Sequence, residues 1–195
     1  MAFSWISLIV LAAGKSTRFG SNKLLSKVQN ETMIEHVVKE ATLSKANEVV
    51  VVVGHDADGI IKCLRSLQCR IIFNPAFEEG QSSSVVTGVR SVKEYAKAAM
   101  ILPGDMAFIK VDQINKVIDR YNSTMSNIVV ATHEGRMGHP ILLRSELFDE
   151  ILGIKEETFG LKEVVNIHKA QIELVEVKSP EVLMDVDIPE DLKSE

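Results

Sequence analysis

Two hydrophobic periods alternate along this chain, and that alternation restricts its fold more than any other feature. Apolar runs of strand length stand at Ile6–Ala12, Glu48–Val53, Arg70–Phe73, Ala98–Leu102, Asn127–Thr132 and Ile172–Val177. Between them lie segments with helical spacing: Glu31–Leu43, Ala57–Leu67, Ser82–Tyr95, Val111–Tyr121 and Leu161–Ile167. Five consecutive valines, Val49 to Val53, are β-branched and apolar on both faces, which suits a parallel strand covered on each side. In Glu31–Leu43 the residues Ile34, Val37, Val38 and Ala41 recur at the spacing of one helix face. The expected architecture is a single α/β domain over residues 1–195, a doubly wound, mostly parallel sheet with right-handed crossovers and helices on both faces.

Such sheets bind ligands outside the carboxyl ends of their strands. The rule gathers scattered motifs at one edge. Leu11-Ala12-Ala13-Gly14 and the segment to Lys23 follow the first strand, Gly54-His55-Asp56 the second, Asn74-Pro75 the third, and Pro103-Gly104-Asp105 the fourth. Small residues after the first strand let backbone N–H groups approach phosphate oxygens, while Arg18 and Lys23 offer charge at two points. Neither GxxxxGK[ST] nor GxGxxG can be read there, which disfavours a Walker-type NTPase and a Rossmann dehydrogenase.

Asp105, just past a buried strand and a Pro-Gly turn, suits a hard cation, although a turn aspartate bonding its own backbone has the same signature. Magnesium takes one or two carboxylates with phosphate oxygens and water. The partner carboxylate is sought in Asp185-Val186-Asp187, where alternation puts Asp185 and Asp187 on one face; Asp187 can equally be a helix cap before Pro189. Gly80-Gln81-Ser82-Ser83-Ser84 reads as a loop entering a helix N-terminus, whose free N–H groups and hydroxyls serve a base, a ribose or a phosphate, or simply cap the helix. His139 precedes Pro140 and is held extended within Gly135–Pro140, expected between two strands. A substrate contact and a structural turn histidine both fit it. The other histidines show no zinc-ligand spacing.

A net charge of −5 disfavours a general nucleic-acid binder, so any phosphate site is local. Cys63 and Cys69 form no CxxC pair and no disulfide framework, and free thiols fit a reducing cytoplasm. Met1–Ile6 carries no cationic stretch, and the apolar run after it is too short to span a bilayer. The expected location is therefore cytoplasmic, without a membrane partner.

Five motifs in order carry a resemblance that runs from about residue 8 to residue 192. Leu11-Ala12-Ala13-Gly14-x-Ser16-x-Arg18-Phe19-Gly20-x-x-Lys23-Leu24-Leu25 resembles the signature loop of molybdenum-cofactor-type, or MobA-like, nucleotidyltransferases. Gly80-Gln81-Ser82-Ser83, Pro103-Gly104-Asp105-Met106, Gly138-His139-Pro140 and Asp185-Val186-Asp187-x-Pro189-Glu190-Asp191-Leu192 are similar to its later motifs. Ala13, where the guanylyltransferases usually carry glycine, makes the cytidylyltransferase group the nearest likeness. Ala107 and Ile188 depart from the common pattern of proline and threonine without removing a charge.

The resemblance implies transfer of CMP from CTP to the terminal phosphate of an acceptor, molybdopterin, with Mg2+ and release of pyrophosphate. It implies that Lys23, Arg18 and Asp105 are catalytic and that Asp105 and Asp187 hold the metal. Leu11, Ala12, Ala13, Gly14, Lys23, Asn74, Gly80, Ser82, Ser83 and Gly104 are the expected nucleotide contacts, with His139 on the substrate. Lys15 has no expected role beyond solvation. Rival readings are the same chemistry with another nucleotide and a sugar phosphate or phospho-alcohol, and a non-catalytic nucleotide-binding protein that delivers a cofactor.

Overall fold

The computed structural model describes residues 4–15, 22–28 and 30–186. Its centre is β1 (Ile6–Ala12), buried along its whole length and paired in parallel on both sides. On one side lie β4 (Glu48–Val53) and then β5 (Arg70–Phe73); on the other lies β6 (Ala98–Pro103). Beyond β6 come β8 (Arg136–Arg144), β7 (Ile128–His133) and β9 (Ile172–Glu176), giving the order β5-β4-β1-β6-β8-β7-β9. Only β8 runs against its neighbours in this sheet. A two-residue pair, β2 (Lys27–Val28) with β3 (Glu31–Thr32), stands apart.

Alternation along the strands divides the core into two layers. Leu8, Val10, Val49, Val51 and Val53 face α1 (Met33–Thr42), α2 (Ala57–Leu64) and α4 (Val111–Thr124). Ile9, Leu11, Val50 and Val52 face the opposite layer, with α3 (Gln81–Val92), α5 (Phe148–Ile151) and α6 (Leu161–Ile167). Covering on both faces explains the unbroken valine run. Among the described residues no helix is long and apolar enough to cross a membrane.

The helix boundaries follow local chemistry. α1 begins two residues later than its apolar periodicity suggests because Thr32 caps it. Thr32 Oγ1 accepts the Glu35 N–H at 3.3 Å, and Glu35 Oε2 accepts the Thr32 N–H at 2.7 Å. α4 continues to Thr124, and Met125 in the left-handed conformation closes it with a 2.7 Å bond to the Tyr121 carbonyl.

Gly135–Pro140, expected between strands, instead enters a strand: Arg136 and Met137 pair with His133 and Thr132, and pairing with β7 resumes at Ile141. The register shift on β7 between Val130 and Thr132 falls beside Gly138, His139 and Pro140. Proline has no N–H for a ladder, and a bulge tolerates that loss.

Helix α3 lies close enough to β1 to demand a glycine. A Cβ on Gly88 would come within 2.5 Å of Ile9 Cγ2 and 3.3 Å of Val52 Cγ2. Gly88→Ala is expected to lower unfolding stability by about 1–3 kcal/mol through overpacking, read by urea denaturation. An unchanged midpoint would show that α3 shifts freely.

Candidate active site

The parallel strands β5, β4, β1 and β6 bring their carboxyl ends to one edge of the sheet. There the end of β1 and the chain after β6 touch. Gly104 donates its N–H to the Leu11 carbonyl at 2.9 Å, and His55, after β4, donates to the Ala13 carbonyl at 3.2 Å. Ala12 and Ala13 are buried, whereas a Cβ on Gly14 would meet open space. The Gly104 N–H and the Leu11 and Ala13 carbonyls thus hold the edge together, and Gly14 is its open point.

Two predicted site residues meet directly. Lys23 Nζ lies 2.7 Å from Asp105 Oδ2, with the side chains only 15% and 20% exposed. The same ammonium donates to the Val186 carbonyl at 2.8 Å, and the Val186 N–H donates to the Asp105 carbonyl at 3.1 Å. Sequence-distant segments are thereby tied to one carboxylate. Asp105 Oδ1 is buried and has no hydrogen-bond partner among the described residues. An anionic oxygen without a partner is costly to bury, and a hard cation would satisfy it. The donor set therefore fits a divalent metal at Asp105. Among the described residues no group of three His, Cys, Asp or Glu side chains forms a metal cluster. Arg18 and Asp187, expected on the triphosphate and the metal, lie outside the described residues; Asp185 is exposed.

Lys15 pairs with Glu78 at 2.6 Å and lies 5.9 Å from the centre of the Phe77 ring. That hydrogen bond and charge hold Glu78 below the usual carboxylate range.

The serine loop is internally bonded. Asn74 is buried and donates to Ser83 Oγ at 2.8 Å and Ser84 Oγ at 3.1 Å, and Ser83 Oγ donates to the Gly80 carbonyl at 2.8 Å. Glu156, on a single turn at Glu156–Thr158, caps α3 from a distance: its Oε2 accepts the Ser82 N–H at 2.9 Å and the Ser82 hydroxyl at 2.6 Å. Gly80 has φ +99°, and a Cβ there would lie 2.6 Å from the Glu156 carboxyl carbon. Sequence reasoning missed Glu156, because one acid in Lys155-Glu156-Glu157 has the look of a solvated turn.

Beside this cap opens a cavity of about 500 Å3. Leu11, Val85, Ile101, Val130, Ile141 and Val165 provide apolar lining; Gln81, Ser82, His139, Glu156, Lys162 and Asn166 provide polar groups. His139 Nδ1 is buried without a hydrogen-bond partner among the described residues. Burial holds this imidazole below the ordinary histidine range; the Ile101 carbonyl and the charges of Asp105 and Asp185 pull it upward, and Lys162 opposes them. Of the other described histidines, His36 contacts Glu31 and the Ile109 carbonyl, His133 the Val177 carbonyl and His168 Glu150, while the His55 ring lies 6.3 Å from that of Phe77.

A lysine–aspartate pair, a carboxylate oxygen open to a cation and an adjoining cavity thus meet at the carboxyl edge of an α/β sheet. The profile of the MobA-like NTP transferase domain matches residues 8–173, and the chain belongs to that family. The bifunctional protein GlmU of Staphylococcus carnosus is 30% identical over 145 residues, 71% of this chain and 31% of that protein. The chain spans about a third of the length of the curated relatives it matches. In fold it is similar to Rv0371c of Mycobacterium tuberculosis, with a TM-score of 0.85, 20% identity, and 97% and 96% of the two chains covered. It also resembles a CMP:2-keto-3-deoxy-manno-octonic acid synthetase complexed with CTP, with a TM-score of 0.78, 15% identity, and 97% and 96% covered.

The depressed His139 basicity has a sign. Folding favours the neutral ring, so its contribution is complete above the unfolded value of about 6.5 and is lost as pH falls through the lower folded value. His139→Gln is expected to show a shallower loss of stability between about pH 7 and about pH 5 in urea titrations. An identical slope in both proteins would refute the assignment.

Proposed function

We propose that this chain acts as one Mg2+-dependent nucleotidyltransferase domain that transfers CMP from CTP to the terminal phosphate of a molybdopterin-type acceptor, releasing pyrophosphate. The observation that carries the reading is the Lys23–Asp105 pair at 2.7 Å, with Asp105 Oδ1 buried and without a partner among the described residues. CTP is preferred because Ala13 matches the cytidylyltransferase form of the first motif; the fold likeness to a CTP-bound synthetase agrees with it. The net charge of −5 and the free thiols support a small-molecule reaction in the cytoplasm, without nucleic acid.

An acceptor phosphate oxygen attacks the α-phosphorus of CTP, a P–O bond forms, and the bond to pyrophosphate breaks. The nucleophile is already anionic, so no side-chain base is needed; positioning and charge stabilisation carry the rate. Lys23, which bonds to Asp105 and the Val186 carbonyl, stabilises charge on the departing pyrophosphate in this reading, assisted by Arg18. Asp105 and Asp187 would hold the divalent ion, which when bound neutralises phosphate charge. The backbone of Ala12 to Gly14 approaches the nucleotide, and Gly104 supports that loop from below through Leu11. The acceptor takes the cavity, where His139 offers a neutral imidazole rather than a competing cation.

Pyrophosphate release should be strongest with CTP among the four ribonucleoside triphosphates, and should require molybdopterin and a divalent ion. Lys23→Ala and Asp105→Ala are each expected to lower kcat by about 10²-fold or more. Near-normal turnover in either variant would remove that residue from the mechanism, and release with GTP alone would reverse the base assignment.

A further inference from the structure

The cavity has one wall whose charge runs against a simple anion site. The first turn of a helix ordinarily welcomes phosphate. Here α3 offers its Ser82 N–H and hydroxyl, and both already bond to Glu156 Oε2. The carboxylate lines the cavity, and its Oε1 makes no hydrogen bond among the described residues. An ionised carboxylate only accepts hydrogen bonds. A ligand group that meets Oε1 must therefore bring N–H or O–H donors, and the cation of this lining, Lys162, stands on α6 rather than at the first turn of α3.

The rest of the lining selects further. Leu11, Val85, Ile101 and Ile141 suit the faces of a planar ring, and the buried Nδ1 of His139 is a second polar atom in want of a partner. The segment that carries Glu156 is held close to α3: Gly160 has φ +54°, and a Cβ there would collide with Ser82 Oγ. Glu156 is thus presented by packing as well as by its two bonds.

We infer that Glu156 selects and orients the acceptor: it takes hydrogen bonds from the amino and ring N–H groups of a planar heterocycle and keeps that ligand's phosphate off the first turn of α3. This rests on the reading of the cavity as the acceptor site. With its ring edge at Glu156, the acceptor points its phosphate elsewhere, toward the edge where Lys23 and Asp105 meet. Glu156 is a specificity-determining residue and takes no part in bond making.

The test uses two fluorescent rings of nearly equal shape: pterin, with a 2-amino group, and lumazine, with a keto oxygen in its place. Neither titration needs nucleotide or turnover, so the result is independent of the pyrophosphate assay. The protein is expected to bind pterin about tenfold more tightly than lumazine, as loss of one hydrogen bond to a charged group implies. Glu156→Gln should reduce that ratio to within about twofold. In parallel, inorganic phosphate should shift the Ser82 amide resonance of the Glu156→Gln variant and leave that of the unaltered protein unmoved. Equal affinity of the unaltered protein for both rings, or no binding of either, overturns the proposal without reference to any variant. A pterin preference that survives in Glu156→Gln overturns it too, as does a phosphate-induced Ser82 shift in the unaltered protein.

Discussion

Everything at the candidate site depends on β1 being paired on both sides in parallel. With β4 on one flank and β6 on the other, a single buried strand delivers three following loops to the same edge. The loops are then cross-bonded there, Gly104 to Leu11 and His55 to Ala13. An antiparallel partner in either place would send one of those loops to the far side of the sheet. Parallel pairing of this kind needs cover on both faces, and the valine run of β4 and the two core layers supply it.

On that platform Lys23 does more than add positive charge. It joins Asp105 to the Val186 carbonyl, while the Val186 N–H returns to Asp105. A closed ring of contacts among distant parts of the chain is stiffer than any one of them. The unsatisfied Asp105 Oδ1 is held by that ring, so the local cost of burying it is offset by packing elsewhere. Preorganised charge of this kind is what phosphoryl chemistry asks of a protein.

The central strands were legible because their apolar runs start and stop sharply. The bounds expected for β1, β4, β5 and α6 coincide with those observed. Strand β8 was not legible. Gly135–Pro140 is expected between two strands, and the displaced register on β7 explains how a strand accommodates Gly138 and Pro140. The pairing of Lys23 with Asp105 follows from topology, since parallel strands collect their carboxyl ends. Glu156 follows from nothing local: its partner Ser82 lies 74 residues earlier, and the bond exists only once α3 and the Glu156 turn share a face of the sheet.

The reversed direction of β8 has a consequence for the site. Because β7 is parallel to β6, the tight turn at Glu134 and Gly135, with φ of +50° and +75°, stands at the same edge as the loops after β1 and β6. Yet it belongs to a hairpin that shares no strand with the β1, β4 and β5 pairings. The turn leads directly into Met137, Gly138 and His139 of the cavity lining, and His133 and Glu134 bond to Val177 and Glu176 in the segment that continues to Val186. The fold thus joins a parallel half, in which β1 is locked between β4 and β6, to an antiparallel hairpin whose turn faces the same edge.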